Sequence, residues 1–426
     1  MQFTIPPKKP RLKNGVRYMD KQGREIFFVG AGFSAPANLP TQNRILAEIT
    51  KPTSDGILEY DPQPESLKFL LAYIQVGIFL LCSYSNADCK TFTMRLAEYN
   101  KKYPNIKEQE FFDDQYKVLL LLKEEVRSEL ENANLQINLE DVFTSFDKSY
   151  QGREYLKNLT YYKADIIRES ITRLFVYYFC KCTNNHNFAS KEYITFCNYL
   201  KTRKNVSIIS TNWDVLIEEY FKREKIEYNL CFNEKYYIDK AKAVGKSPSK
   251  IVDLIKLHGS INWFKCMNCG TINIVDNNTC GRFLFEDSTE EHCMKCGETT
   301  FDDGLLQPQI ITPTMIKSIN NQLYNNLWFA ASNDLREAKR ITFIGYTLPL
   351  ADFELRYLLG RCVPKDIPID VVLTKSADPA QTEKSALKEL LPEKRYRDLF
   401  FKNKLTFYYD GFEEYFNERL KIEPMK

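Results

Sequence analysis

Histidine is scarce in this chain: His186, His258 and His292 are the three in 426 residues. His258 ends the apolar run Leu254-Ile255-Lys256-Leu257 and is followed by Gly259, Ser260, Ile261, Asn262 and Trp263. An imidazole at the carboxyl end of a strand, with an ordinary pKa near ~6.5, is placed for proton transfer. The plainer reading is a histidine packed under a turn. Three other runs end in the same style. Val206-Ser207-Ile208-Ile209 leads into Ser210-Thr211-Asn212-Trp213-Asp214, whose polar side chains could equally cap a helix starting near Val215. Arg24-Glu25-Ile26-Phe27-Phe28-Val29 leads into Gly30-Ala31-Gly32-Phe33-Ser34-Ala35. Read as G-x-G-x-x-A, it is a dinucleotide-type turn, with Gly30 for the bend, Gly32 for close approach of amides to a pyrophosphate and Ala35 for tight packing. The acidic partner expected about 20 positions on is represented by Glu48 alone, which the segment Asn43–Thr50 places on a helix as a solvated charge. Arg340-Ile341-Thr342-Phe343-Ile344 runs into Gly345-Tyr346-Thr347-Leu348-Pro349. Together these strand ends describe the mouth of one crevice.

A second chemistry lies in Cys266-Met267-Asn268-Cys269-Gly270 and Cys293-Met294-Lys295-Cys296-Gly297. Two C-x-x-C-G knuckles turn four thiolates toward one tetrahedral zinc ion, a closed site that is structural rather than catalytic. Cys280 and His292 are spare ligands of lower rank. Glu286, Asp287, Glu290, Glu291 and Glu298 surround the knuckles and argue against contact with nucleic acid. Twelve cysteines, four of them paired in this way, fit a reducing compartment and metal binding rather than disulfides. Met1–Asp20 is rich in Pro and Lys with no apolar core of a secretory signal, so a cytoplasmic protein is expected.

The elements that must position these groups follow from composition and periodicity. At 44% hydrophobic residues and a formal net charge of +3, the chain can bury a large core and has no global charge for nucleic acid. Lys8, Lys9, Arg11 and Lys13 belong to a flexible arm over 1–22. Residues 23–60 form the first part of a Rossmann-like core and 61–200 an all-helical insertion. The core resumes over 201–265, is interrupted by the zinc ribbon at 266–300 and ends with 301–426. Leu67–Cys82 falls short of a membrane span, being interrupted by Lys68 and Gln75, and reads as a core helix. Helical spacing recurs at Lys90–Tyr103, Glu108–Glu131, Leu139–Phe146 and Tyr155–Phe179. Beyond the ribbon, Gln309–Thr312, Ile341–Ile344, Ile369–Thr374 and Leu405–Tyr409 are candidate strands, and strands alternating with helices predict a parallel, doubly wound sheet. A last helix, Gly411–Leu420, carries Phe412, Tyr415 and Phe416 at a spacing suited to packing on it.

In this order the motifs resemble the sirtuin superfamily: Gly30-Ala31-Gly32-Phe33-Ser34, Ser210-Thr211-Asn212-Trp213-Asp214, His258-Gly259, the four-cysteine module and Gly345-Tyr346-Thr347. The resemblance implies that the crevice binds NAD, with Asn212 orienting a water or the ribose hydroxyls and His258 as general base. Gly30, Ala31, Gly32 and Ser34 would hold the pyrophosphate, Asp214 would fix the site from behind, and Gly345 and Thr347 would approach the adenosine ribose. Cys266, Cys269, Cys293 and Cys296 would hold the structural zinc. The chain also departs from the deacylating sirtuins. Pro40 is followed by Thr41, Gln42 and Asn43 rather than Asp-Phe-Arg, and the place of the peptide-pairing Phe-Gly-Glu loop reads Ile310-Ile311-Thr312-Pro313-Thr314-Met315. The pattern is more similar to the sirtuin-like NAD hydrolases of bacterial antiphage defence. That implies cleavage of the nicotinamide–ribose bond, with a protein deacylase and a silent NAD or ADP-ribose sensor as alternatives. It also implies control by self-association or by a partner such as a ring-forming ATPase or an Argonaute-type protein, with no membrane and no direct nucleic-acid contact. Phe111, Phe112, Tyr116, Phe143, Tyr161 and Tyr162 of the helical segment would suit such an interface or simply pack the insertion.

Overall fold

Strands buried on both faces read as near-continuous apolar runs, and Ile26–Val29, Ile208-Ile209, Leu254-Ile255 and Val371-Val372 are all buried. The computed structural model describes residues 23–50, 64–102, 109–133, 135, 137–157, 159–232, 237–239, 251–277, 280, 292–297, 306–315, 321–374 and 391–419. The basic arm and the five acidic residues around the knuckles lie outside this set. The chain begins with β1 (Arg24–Val29), α1 (Ala31–Ser34) and α2 (Gln42–Thr50). Six helices follow: α3 (Pro64–Tyr84), α4 (Lys90–Lys102), α5 (Gln109–Ala133), α6 (Leu139–Gly152), α7 (Tyr161–Asn184) and α8 (Lys191–Thr202). Then come β2 (Val206–Ser210), α9 (Leu216–Glu224), β3 (Glu227–Asn229), β4 (Tyr237–Asp239), β5 (Ile251–Lys256), β6 (Gly259–Cys266), β7 (Ile272–Ile274) and β8 (Leu306–Ile310). The last part contains α10 (Gln322–Arg336), β9 (Ala338–Ile344), α11 (Phe353–Cys362), β10 (Pro368–Val372), α12 (Pro392–Leu399), β11 (Lys404–Tyr408) and α13 (Gly411–Arg419).

The main sheet has seven strands in the order β11-β10-β9-β1-β2-β5-β3, and every pairing is parallel. The parallel sheet expected from the alternation of elements is therefore present. β1 lies at its centre between β9 and β2, so the strand order reverses there and the carboxyl ends flank a crevice. One expected strand is elsewhere. β8, read from the sequence as part of the main sheet, joins β4, β7 and β6 in a second, four-stranded sheet, where it runs antiparallel to β6. The reason lies at Gly259. The apolar run ending at His258 does not stop there but turns back as β6, and β6 recruits β8.

The helices α3–α7 follow the spacing read from the sequence, with one shift, whereas α8 was not among the helical patterns read there. The pattern read from Tyr155 becomes helical only at Tyr161, where the Thr160 hydroxyl accepts from the Lys163 amide at 3.3 Å. α3 is long and apolar enough to cross a membrane by composition, yet 61% of Leu67–Tyr84 is buried inside the protein. It is apolar all round because it serves two cores. Ala72, Val76, Phe79 and Leu80 join the core of the main sheet, whereas Leu67, Leu70, Tyr73, Ile74 and Leu81 pack with α4 and α5 in a second cluster. Of the aromatic residues read as interface candidates, Tyr116 and Phe143 are core, whereas Tyr161 and Tyr162 are exposed. The side chains of Phe111 and Phe112 lie outside the described residues. Glu48 is half-buried rather than solvated, accepting from the Tyr178 hydroxyl at 3.3 Å. In α13, Phe412, Tyr415 and Phe416 are buried as the spacing predicts.

The centre of the crevice is closed by two glycines in contact. Gly32 N–H donates to Gly345 O at 2.9 Å. A Cβ at 345 would stand 2.3 Å from the Gly32 carbonyl carbon, and Gly345 has φ +62°. Gly345→Ala therefore meets both left-handed backbone strain and a backbone clash. It should cost at least about 2–4 kcal/mol, read as a lowered denaturation midpoint. An unchanged midpoint would mean that the two turns are not in contact.

Candidate active site and metal centre

Each site residue is placed by the end of a strand. After β1, Gly30 N–H donates to Ile344 O at 3.0 Å and Phe33 N–H to Gly30 O at 2.9 Å, which tightens the turn of α1. The close approach that glycine 32 permits is used by the Gly345 backbone, and its N–H is committed there. After β2, Thr211 N–H donates to Val29 O at 3.0 Å, which binds the Asn212 loop to the Gly30 turn.

The amide of Asn212 is fixed by the fold. Its Nδ2 donates to Gly30 O at 2.9 Å and to Ser34 Oγ at 3.0 Å, and Ser34 Oγ donates onward to Asp214 Oδ2 at 2.9 Å. Because two acceptors face the NH2 group, the opposite orientation would set oxygen against the Gly30 carbonyl. Both amide protons are thus spent within the loops, and what Asn212 can offer a ligand is the acceptor Oδ1. Asp214 sits behind it. Its Oδ1 accepts from Leu216 N–H at 3.1 Å, so the residue both ties down the first residue of α9 and supports Ser34. Burial pushes the Asp214 carboxyl upward, and the Lys256 ammonium, the Ser34 hydroxyl and the Leu216 amide pull it back.

His258 lies in the turn between β5 and β6. Leu257 N–H donates to Ser210 O at 2.9 Å and Ile261 N–H to Trp213 O at 2.9 Å, so the histidine turn and the Asn212 loop are adjacent. Gly259 makes the turn possible: it has φ +79°, and a Cβ there would stand 2.0 Å from Gln309 O. The His258 Nε2 is 3.9 Å from Asp352 Oδ1, both side chains about nine-tenths buried. Asp352 Oδ2 in turn accepts from the Tyr346 hydroxyl at 2.8 Å. Burial, and then the charge of Asp352, push the Tyr346 phenol well above its ordinary range and keep it a donor. Thr347 is exposed at the rim, where Arg395 donates to its carbonyl from Nε at 3.2 Å and from a terminal nitrogen at 2.9 Å.

Four residues of this site escaped the sequence reading. Asp352 and Tyr346 flank the late glycine turn, and the signal was an acidic residue just ahead of α11. Lys256, in an otherwise apolar strand, and Glu218, in the first turn of α9, form a buried pair at 2.7 Å. A lone cation inside an apolar run was the visible clue.

The cysteines fit a metal. The thiol sulfurs of Cys266, Cys269, Cys293 and Cys296 all lie within 4.8 Å of one another. Cys266–Cys296 is 3.8 Å and Cys269–Cys293 is 3.6 Å. A tetrahedron with zinc–sulfur bonds of about 2.3 Å has sulfur–sulfur edges of about 3.8 Å, so the donor set matches zinc without rearrangement. Both knuckles close in the same way, with Gly270 N–H on Cys266 O at 2.8 Å and Gly297 N–H on Cys293 O at 2.9 Å. Asn273 Nδ2 also donates to Cys293 Sγ at 3.5 Å. Cys280 and His292 are not in the cluster. The Cys280 thiol donates to Ile261 O at 2.9 Å.

Residues 206–362 match the family model described as the SIR2-like domain. Over these residues the chain is similar to a SIR2-like domain. The match takes in Asn212, Asp214, His258, the four cysteines and Gly345, and leaves the Gly30–Ser34 turn and the helices before β2 outside it. Among solved structures, one described as the structural basis of sirtuin substrate affinity is similar at 12% identity, over 95% of this chain and 96% of that chain, with a TM-score of 0.39. A SIR2 homologue in complex with NAD is similar at 13% identity, over 95% of this chain and 93% of that chain, with a TM-score of 0.37. No curated protein matches the chain significantly in sequence.

A closed four-thiolate site in the SIR2-like domain should respond to removal of one ligand. Cys293→Ser is expected to abolish bound zinc, measured by elemental analysis, and to loosen the ribbon, since zinc contributes on the order of 10 kcal/mol in small modules. Freshly purified protein without zinc would contradict the assignment.

Proposed function

We propose that the SIR2-like domain is an NAD glycohydrolase, giving nicotinamide and ADP-ribose. The observation that carries this reading is the state of the strand edge beyond the His258 turn. A deacylase must pair an acyl-lysine peptide with free backbone groups. Here Ile311 N–H donates to His258 O at 2.8 Å and Ile311 O accepts from Trp213 Nε1 at 3.1 Å. Met315 N–H donates to Thr144 Oγ1 of α6 at 3.0 Å. The segment that would receive a peptide is tied to the site on one side and to the helical layer on the other, leaving water as the acceptor.

Nicotinamide leaves as a neutral molecule when the electrons of the C1′–N bond return to its cationic ring. The transition state is therefore oxocarbenium-like and asks for a held ribose, exclusion of bulk solvent and one oriented nucleophile. Asn212 Oδ1 accepts from a ribose hydroxyl or from the attacking water. His258 takes the water proton as the new C1′–O bond forms, and Asp352 stabilises the resulting imidazolium. Ala31 of the first glycine turn faces the pyrophosphate, while the Ser34 hydroxyl is committed to Asp214 and Asn212, and Gly345 and Thr347 face the adenosine ribose. Zinc holds the ribbon and takes no part in the reaction.

Such an activity suits NAD depletion in antiphage defence in the cytoplasm, and it then requires restraint. The layer α3–α8 is the element to supply it, through a homo-oligomer or a partner protein. Exposed Tyr161 and Tyr162 at the start of α7 are suitable contacts.

The test is release of nicotinamide from NAD alone, with and without an acetylated peptide. Release without peptide is expected, and His258→Ala and Asn212→Ala should each lower it by about 100-fold or more. The melting point should move little for His258→Ala and somewhat more for Asn212→Ala, whose amide holds two loops. Release that depends on the peptide would make the protein a deacylase, and saturable binding without turnover would make it a sensor. Near-normal release by His258→Ala would remove the histidine from the mechanism.

A further inference from the structure

Lys256 is 1% exposed and lies on a strand whose neighbours Leu254, Ile255 and Leu257 are fully buried. A buried ammonium costs several kcal/mol unless its donors are met. All three are met: Lys256 Nζ donates to Asp214 O at 2.6 Å, to Glu218 Oε1 at 2.7 Å and to Ser260 Oγ at 2.6 Å. The acceptors are unequal in meaning. Glu218 balances the charge, and burial pushes its carboxyl upward while Lys256 brings it back. Asp214 O lies two residues beyond Asn212, and Ser260 two residues beyond His258. Ser260 Oγ also donates to Trp213 O at 3.3 Å. An apolar side chain would fill the same space at lower electrostatic cost but could not supply directed bonds to both loops.

We infer that Lys256 is a positioning residue that sets the spacing between Asn212 and His258, by holding the loop 211–214 and the turn 257–260 on one ammonium. The inference rests on the proposed NAD cleavage only for its kinetic readout. Among the described residues, the Ser260 hydroxyl bond to Trp213 O runs between the same two loops and shares this grip. The backbone bonds Leu257 N–H to Ser210 O and Ile261 N–H to Trp213 O fix the ends of the pair. Lys256 adds a side-chain grip at the Trp213–Ile261 end, on Asp214 O and Ser260 Oγ, two residues beyond Asn212 and His258. A rival structural role would be to join α9 to β5 through Glu218, with no effect on the loops.

The two roles separate in the double variant Lys256→Met/Glu218→Met, which removes both charges together and so avoids an unpaired buried carboxylate. Positioning predicts a folded protein whose kcat for nicotinamide release falls about tenfold or more, because a misplacement on the order of 1 Å costs up to about 100-fold. KM for NAD should change by less than about threefold. Hydrogen–deuterium exchange of the Leu257 and Ile261 amides should accelerate in the same protein. Ser260→Ala removes the bond from Lys256 together with the Ser260 Oγ bond to Trp213 O, should lower the denaturation midpoint because one buried ammonium donor is left unmet, and should show the same two effects in weaker form. Unchanged kcat and unchanged exchange in Ser260→Ala, or in a folded double variant, would overturn the inference. If the parent protein releases no nicotinamide, the proposed reaction fails, while the exchange measurement still decides whether Lys256 holds the two loops.

Discussion

The contact on which the site depends is the one between Gly32 and Gly345. β1 and β9 are neighbours at the centre of the sheet, and the turns that leave them approach until one backbone N–H meets the other's carbonyl at 2.9 Å. No side chain fits between them. The approach fixes where the Gly30 carbonyl points, and that carbonyl fixes the amide of Asn212 at 2.9 Å. Ser34, Asp214 and Lys256 then carry the same constraint from β1 across β2 to β5. Asn212 therefore presents its oxygen rather than its nitrogen because of a steric requirement in the backbone of two distant turns.

Much of this was legible in the sequence because each element that mattered has a short signature. The buried strands are apolar runs, the turns need glycine, and the four thiols have a spacing that few other functions use. The resemblance named the crevice, and the fold shows why Asn212 and His258 lie together. What remained hidden depends on tertiary contact. The return of the chain as β6 could not be read because Gly259 marks a turn without saying where the next strand pairs. β8 was misplaced for the same reason, its partner being chosen by β6 rather than by its own pattern. Lys256 and Glu218 are 38 residues apart and look like an intruding charge and an ordinary helix acid until the fold joins them. Asp352 was likewise a helix-start residue until Tyr346 and His258 were seen beside it.

The helical layer is part of the site rather than an appendage. Trp213, between Asn212 and Asp214, packs with Phe175 and Phe179 of α7, each at a ring-centroid distance of 6.0 Å. Its indole N–H reaches Ile311 O, and α6 holds Met315. Movement of α6 and α7 would thus be felt at the Asn212 loop and at the segment 311–315 together. That is the physical basis on which control through this layer can be expected. α3 is apolar on all sides because it packs on α7 on one face and on α4 and α5 on the other.

The central claim is that NAD enters the crevice while the strand edge beside it stays closed. Its most direct test is an experimental structure of the His258→Ala protein with NAD. The expected result is a pyrophosphate against the Gly30–Ser34 turn, a nicotinamide ribose at Asn212 Oδ1, and Ile311 still bonded to Trp213. NAD bound away from these turns, or the segment 311–315 released from Trp213 and Thr144 to expose a free strand edge, would contradict it.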